Sequence, residues 1–80
     1  MENKLMFDDA ELLKLMEEYG DSKQSLATYL GTSRQNISQV FNGQHNFTYE
    51  QIIRIGKKYS LDADGYYRIF IKPMLERIAA

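Results

Sequence analysis

Residues 22–43 read SKQSLATYLGTSRQNISQVFNG, and the pattern in this stretch decides the fold. Ser22 is placed to cap a helix, and Lys23 to Leu30 carries apolar Leu26, Ala27 and Leu30 at helical spacings. Gly31 follows where a helix needs a residue that tolerates a left-handed backbone. Two residues on, Ser33 can cap a second helix over 34–42, and Gly43 stops it in the same way. The spacing predicts two short helices joined across a tight glycine turn.

Two helices so joined form a helix-turn-helix, an element that reads DNA. The second helix supports that use. At about 100° per residue from Arg34, the side chains of Arg34, Gln35, Ser38, Gln39 and Asn42 fall between roughly 0° and 140°, and those of Ile37, Val40 and Phe41 between roughly 240° and 340°. One face is apolar; the other holds an arginine, two glutamines, a serine and an asparagine without a carboxylate. Solvated helix faces usually mix Lys with Glu, whereas Arg pairs with guanine edges and Gln or Asn with adenine edges.

At these spacings the chain resembles the helix-turn-helix domain of phage repressors and Cro-like proteins, from about Leu12 to Leu61. The resemblance is carried by Leu26-Ala27, Gly31-Thr32-Ser33, Ile37-Ser38, Asn42-Gly43 and the apolar run Ile52, Ile55, Tyr59, Leu61. It implies an all-α, lambda-repressor-like bundle of five helices and sequence-specific binding of a double-stranded DNA operator, to repress or switch transcription. Carried over by position, Arg34, Gln35, Gln39 and Ser38 would read base edges, while Lys23, Ser33 and Asn42 would hold phosphates. The backbone from Asn46 to Thr48 would offer N–H groups to a further phosphate. Three positions depart from the family's pattern. Met16 stands where relatives carry arginine and Phe41 where they carry glutamate, so an apolar contact is expected in place of an ion pair. Lys23 stands where relatives often have glutamine, which removes a brace for Arg34.

Eighty residues make one domain, and a 44% apolar fraction is ordinary for a globular chain. That length leaves no room for a separate oligomerising domain, so a Cro-sized regulator or an isolated N-terminal domain is expected. The absence of cysteine excludes disulfides and thiolate metal sites, and a lone histidine, His45, cannot build a metal site or a catalytic triad unaided. No phosphate-cradling glycine loop is present, since Gly31 and Gly43 are isolated helix stops. These features predict no enzyme, no cofactor, no metal and no small-molecule substrate. No apolar run reaches the ~18 residues of a membrane span, and no signal peptide opens the chain, so a cytoplasmic protein of a bacterial or phage-infected cell is expected.

A net charge of −1 hides an asymmetry. Residues 1–21 hold two lysines against seven carboxylates, whereas residues 22–60 hold five basic residues against Glu50 alone. Phosphate responds to the local field, so a basic face remains available, though a weak and salt-sensitive one.

Outside the central stretch, residues 1–7 read as a lead-in and residues 8–71 as the domain. Asp8 can cap the first helix, with Glu11 completing a capping box and Phe7 stapling onto Leu12. Leu12, Leu13, Leu15, Met16 and Tyr19 are its expected buried stripe. Thr48 and Gln51 repeat the box before a fourth helix, in which Gly56 marks close packing. Asp62 can cap a fifth helix to Ile71, although Tyr66 to Ile71 is rich in strand formers and Asp64-Gly65 is a weak hairpin signal. Helix is favoured, since Asp62-Ala63-Asp64 makes a good acidic first turn. Pro73 then either kinks the chain or opens a short helical tail over 72–80. Tyr66, Phe70, Met74, Leu75 and Ile78 exceed what such a core needs, so a homodimer through this tail is expected. The competing reading is a protein-binding module of the same fold, an antirepressor or antitoxin, for which the acidic first helix and apolar tail would serve.

Overall fold

The computed structural model describes residues 5–79; the start of the expected lead-in and the last residue of the tail lie outside them. The described residues form helices α1 (Asp9–Glu18), α2 (Lys23–Leu30), α3 (Arg34–Phe41), α4 (Tyr49–Lys58) and α5 (Ala63–Tyr66), then a π-helical turn (Tyr67–Ile71) that runs into α6 (Lys72–Ala79). No strand occurs among them, and the strand-rich composition of 66–71 yields to the helix that Asp62 caps through the Gly65 N–H at 2.8 Å. The fold is the all-α, lambda-repressor-like bundle with a helical tail.

Local chemistry starts each helix as expected, with one exception. Ser22 caps α2 in a reciprocal box with Ser25, and Thr48 caps α4 in one with Gln51. Asp8 caps α1 by accepting from the Glu11 N–H at 3.1 Å, but Glu11 does not return the bond. The Asp8 N–H goes instead to the Ile69 carbonyl at 2.7 Å, and the Glu11 carboxylate lies 3.4 Å from Arg68.

Pro73 explains that exchange. Proline has no N–H for the carbonyl four residues back, and its ring clashes with that carbonyl in a regular helix. The carbonyl concerned is Ile69's. The helix widens ahead of Pro73, with Lys72 donating to Tyr67 five residues back, and Asp8 supplies the donor that proline lacks. The start of α1 and the π turn are thereby joined through backbone atoms.

The adjacent Phe7 turns into the protein. It is buried, although it falls at the end of the expected lead-in, and it meets Phe41 edge-on at 5.4 Å, Phe47 at 5.2 Å and Phe70 at 6.3 Å. Every phenylalanine in the chain belongs to this cluster. Around it lie Leu12, Met16, Leu26, Ala27, Leu30, Ile37, Val40, Ile55, Tyr59 and Ile69, with Phe41 and Phe47 packed against them. Leu13 and Tyr19, expected in the buried stripe of α1, are exposed.

A polar knot ties the α1–α2 junction to the end of α4. Asp21 accepts from the Tyr59 hydroxyl at 2.8 Å and the Ser25 hydroxyl at 3.0 Å, and the Lys58 ammonium lies 3.4 Å away. Burial alone would push the Asp21 carboxyl up, but the bonds from Tyr59, Ser25 and Lys58 outweigh it and hold the carboxyl below its ordinary value. Burial and the same contact raise the Tyr59 phenol far above its ordinary range. Because the folded-state value of Asp21 is depressed, its stabilisation is present above the unfolded value and is lost as pH falls through the folded one. Asp21→Asn should therefore destabilise by about 1–2 kcal/mol at neutral pH. In urea melts across pH 2.5–7, the gap from wild type should narrow as pH drops below about 4.

Gly56 is buried where the Tyr66 ring crosses α4, and a Cβ there would overlap that ring. The Tyr66 hydroxyl meanwhile donates to the Ile53 carbonyl at 3.3 Å. Gly56→Ala gains up to ~1 kcal/mol of helix propensity yet must displace Tyr66. A net loss of about 1–2 kcal/mol is expected. Removing the ring first, in Tyr66→Ala, should turn the same change into a stabilising one in thermal melts.

Candidate nucleic-acid interface

Helix α2 packs more closely on α3 than on any other element, across a turn closed by Gly31 at φ 75°. The Gly31 and Thr32 N–H groups return to the carbonyls of Thr28 and Ala27, which ends α2 within one residue. Ser33 then starts α3 by accepting from the Asn36 N–H at 3.0 Å. At the far end Gly43, at φ 83°, lets the Gln44 N–H reach the Gln39 carbonyl at 2.8 Å. Both ends of α3 are thus fixed by its own neighbours, and Ile37 and Val40 anchor it to the core.

The opposite face of α3 is open. Arg34 and Gln35 are exposed, Ser38 and Gln39 are half-buried, and Asn42 is exposed at the C-terminal end. Helical geometry groups these side chains on one surface, the one expected to read bases. Ser33 is exposed beside them, its hydroxyl oxygen occupied as a cap. Lys23, half-buried at the start of α2, places its ammonium 5.2 Å from the centre of the Phe41 ring. Asn46 is exposed in the loop before α4. Thr48 is exposed too, but its N–H already donates to Gln51 at 3.0 Å, so that donor is not available to a phosphate as the sequence suggested.

The basic field is thinner than the count over 22–60 implies. Arg54 lies 3.1 Å from Glu50, and Lys58 is held by Asp21. Lys58 also sits 4.8 Å over the Tyr29 ring, whose hydroxyl donates to the Arg54 carbonyl at 3.2 Å. Lys23 and Arg34 remain as the cations of the α2–α3 surface.

The expected partner residues of the tail do not form one surface. Phe70 is 2% exposed and belongs to the core, and the half-buried Tyr66 packs on α4. Met74 is half-buried and lines a groove of about 390 Å³ with Phe7, Phe47, Tyr49, Ile52 and Phe70. Leu75 and Ile78 are exposed as expected, and Tyr67 and Ile71 join them. Among the described residues, no helix is long and apolar enough to cross a membrane, and no His, Cys, Asp and Glu grouping could hold a metal ion.

The helix-turn-helix family model matches residues 12–65, which takes in most of α1, all of α2 to α4 with the turn, and the start of α5. No curated protein and no solved structure matches the chain.

Ser33 separates folding from contact. Ser33→Ala should cost about 1 kcal/mol through the lost cap. Ser33→Asp keeps the cap and adds a carboxylate to a first turn that has none, so its thermal midpoint should equal or exceed wild type. The aspartate should nonetheless weaken duplex binding several-fold in a fluorescence anisotropy titration.

Proposed function

The chain belongs to the helix-turn-helix family, a family of DNA-binding regulators, and from that premise we propose that it is a sequence-specific double-stranded DNA-binding transcriptional regulator of the repressor or Cro-like kind. The observation that carries this reading is the surface of α3, where Arg34, Gln35, Ser38 and Gln39 lie on a carboxylate-free face while Ile37 and Val40 anchor the opposite side. Inserted in the major groove, Arg34 can pair with guanine O6 and N7, and either glutamine with adenine N6 and N7. Lys23, Ser33 and Asn42 flank that helix and would fix its register on phosphates, with Asn46 at the next loop.

The protein acts as a homodimer in this reading, on an operator of matching two-fold symmetry. The exposed stripe Tyr67, Ile71, Leu75 and Ile78, at spacings of four, four and three, is the surface that supports pairing. The same stripe supports the second reading, a module whose partner is another protein. The two differ in what α3 does. A DNA reader loses about 1–3 kcal/mol for each good base contact removed, whereas a protein binder ignores those changes and responds to Leu75 and Ile78.

Selection from a random duplex pool at about 100–150 mM salt tests the reading, run beside the triple variant Arg34→Ala, Gln35→Ala, Gln39→Ala. Enrichment of a palindrome with half-sites about one helical turn apart, lost in the variant, is the expected result. Binding without enrichment that disappears as salt rises would reduce the contact to phosphate attraction and overturn the operator reading.

A further inference from the structure

We propose that Phe41 is a positioning residue for DNA binding: its ring holds the Lys23 ammonium at the end of α3, in place to neutralise one phosphate of the bound duplex. The inference rests on the DNA-binding reading above and adds to it a residue that makes no polar contact itself.

Three observations carry it. First, Lys23 stands in the first turn of α2, where a cation works against the helix dipole, so its placement does nothing for the helix itself. Second, none of the ion pairs among the described residues involves Lys23. Asp21, two residues before it, is already taken by Tyr59, Ser25 and Lys58. Third, the ammonium lies 5.2 Å from the Phe41 ring centre, within cation–π range.

The ring is a fixed platform. Phe41 meets Phe7 edge-on at 5.4 Å and 90°, and Phe47 edge-on at 6.4 Å. It is therefore held by the core on one side and offers a face to Lys23 on the other. A carboxylate in that place would attract the ammonium and cancel its charge. The π face attracts it electrostatically but leaves the full charge, and the N–H groups turned away from the ring, for an oxygen of the duplex. Holding a flexible lysine stem before DNA arrives also removes part of the ordering cost of the complex. Phe41 lies on the apolar arc of α3, so this contact bears on register and affinity and not on which bases are read.

The test compares wild type with Phe41→Leu, Phe41→Tyr, Lys23→Gln and the double variant Phe41→Leu with Lys23→Gln. Affinity for a selected duplex and a random duplex is measured by anisotropy from 50 to 300 mM salt. Lys23→Gln should reduce the log–log salt slope by about one. Phe41→Leu should weaken binding to both duplexes about two- to fivefold, because the lysine stem must then be ordered on binding. It should cause no further loss once Lys23 is glutamine, and Phe41→Tyr, which keeps a ring face, should bind as wild type. An equal loss from Phe41→Leu with and without Lys23 would mean packing alone and would overturn the proposal, as would no loss at all. Proton NMR of the free protein supplies a reading independent of DNA. The Lys23 side-chain protons should show a ring-current shift that Phe41→Leu abolishes, and its absence overturns the proposal even if DNA binds. A normal ring-current shift with no duplex bound at any salt overturns the DNA-binding reading, and the phosphate role with it.

Discussion

A missing N–H at Pro73 organises much of this molecule. It takes from the Ile69 carbonyl its donor four residues on, in a segment that is buried, where an unpaired carbonyl costs about 1–3 kcal/mol. The protein meets that cost with the Asp8 N–H, and the bond brings residues far apart in sequence to one place. Asp8 cannot donate there without carrying Phe7 inward beside it. Phe7 then joins Phe41, Phe47 and Phe70, which come from the end of α3, the loop before α4 and the π turn. A polar requirement and an apolar one are satisfied by the same two consecutive residues.

The exposed surface of α3 inherits its rigidity from this arrangement. Helix α3 has only eight residues, too few to be stable alone in water. Its first turn is capped by Ser33, its last turn is closed through Gly43, and Phe41 fastens its end to the ring cluster. Side chains that discriminate bases need such support, because bidentate contacts tolerate little displacement. The same economy limits charge. With Lys58 held by Asp21 and Arg54 beside Glu50, little of the positive charge counted over 22–60 reaches the α2–α3 surface.

What the sequence reveals and what it conceals divide along the range of the interactions. The caps at Ser22, Ser33, Thr48 and Asp62 and the glycine stops were legible, because each involves residues within a few positions of one another. So was the apolar arc of α3, which depends only on helical period. Glu11 was misread for the complementary reason. Its capping role looked complete locally, but Arg68, 57 positions away, takes the carboxylate, and Ile69 takes the N–H it would have served. Phe70 was counted beyond the core's need because its ring partners, Phe7 and Phe47, come from distant parts of the chain. The Lys23–Phe41 contact crosses two helices and leaves no mark on either one's pattern.

Positions 16, 23 and 41 are best understood together. The resemblance implies arginine at the first of these positions, often glutamine at the second, and glutamate at the last. Here Met16 is buried and uncharged, and Phe41 packs against the same core. A buried ion pair replaced on both sides by apolar groups leaves no charge desolvated, so the exchange need not weaken the fold. Lys23 carries its positive charge at the start of α2. The Phe41 ring lies 5.2 Å from that ammonium. An anion at position 41 with a lysine at 23 would form a neutral pair and spend the charge internally. With phenylalanine the same position stabilises the core through Phe7 and Phe47 while leaving the ammonium charged. A substitution at 23 or 41 therefore changes what the other can do.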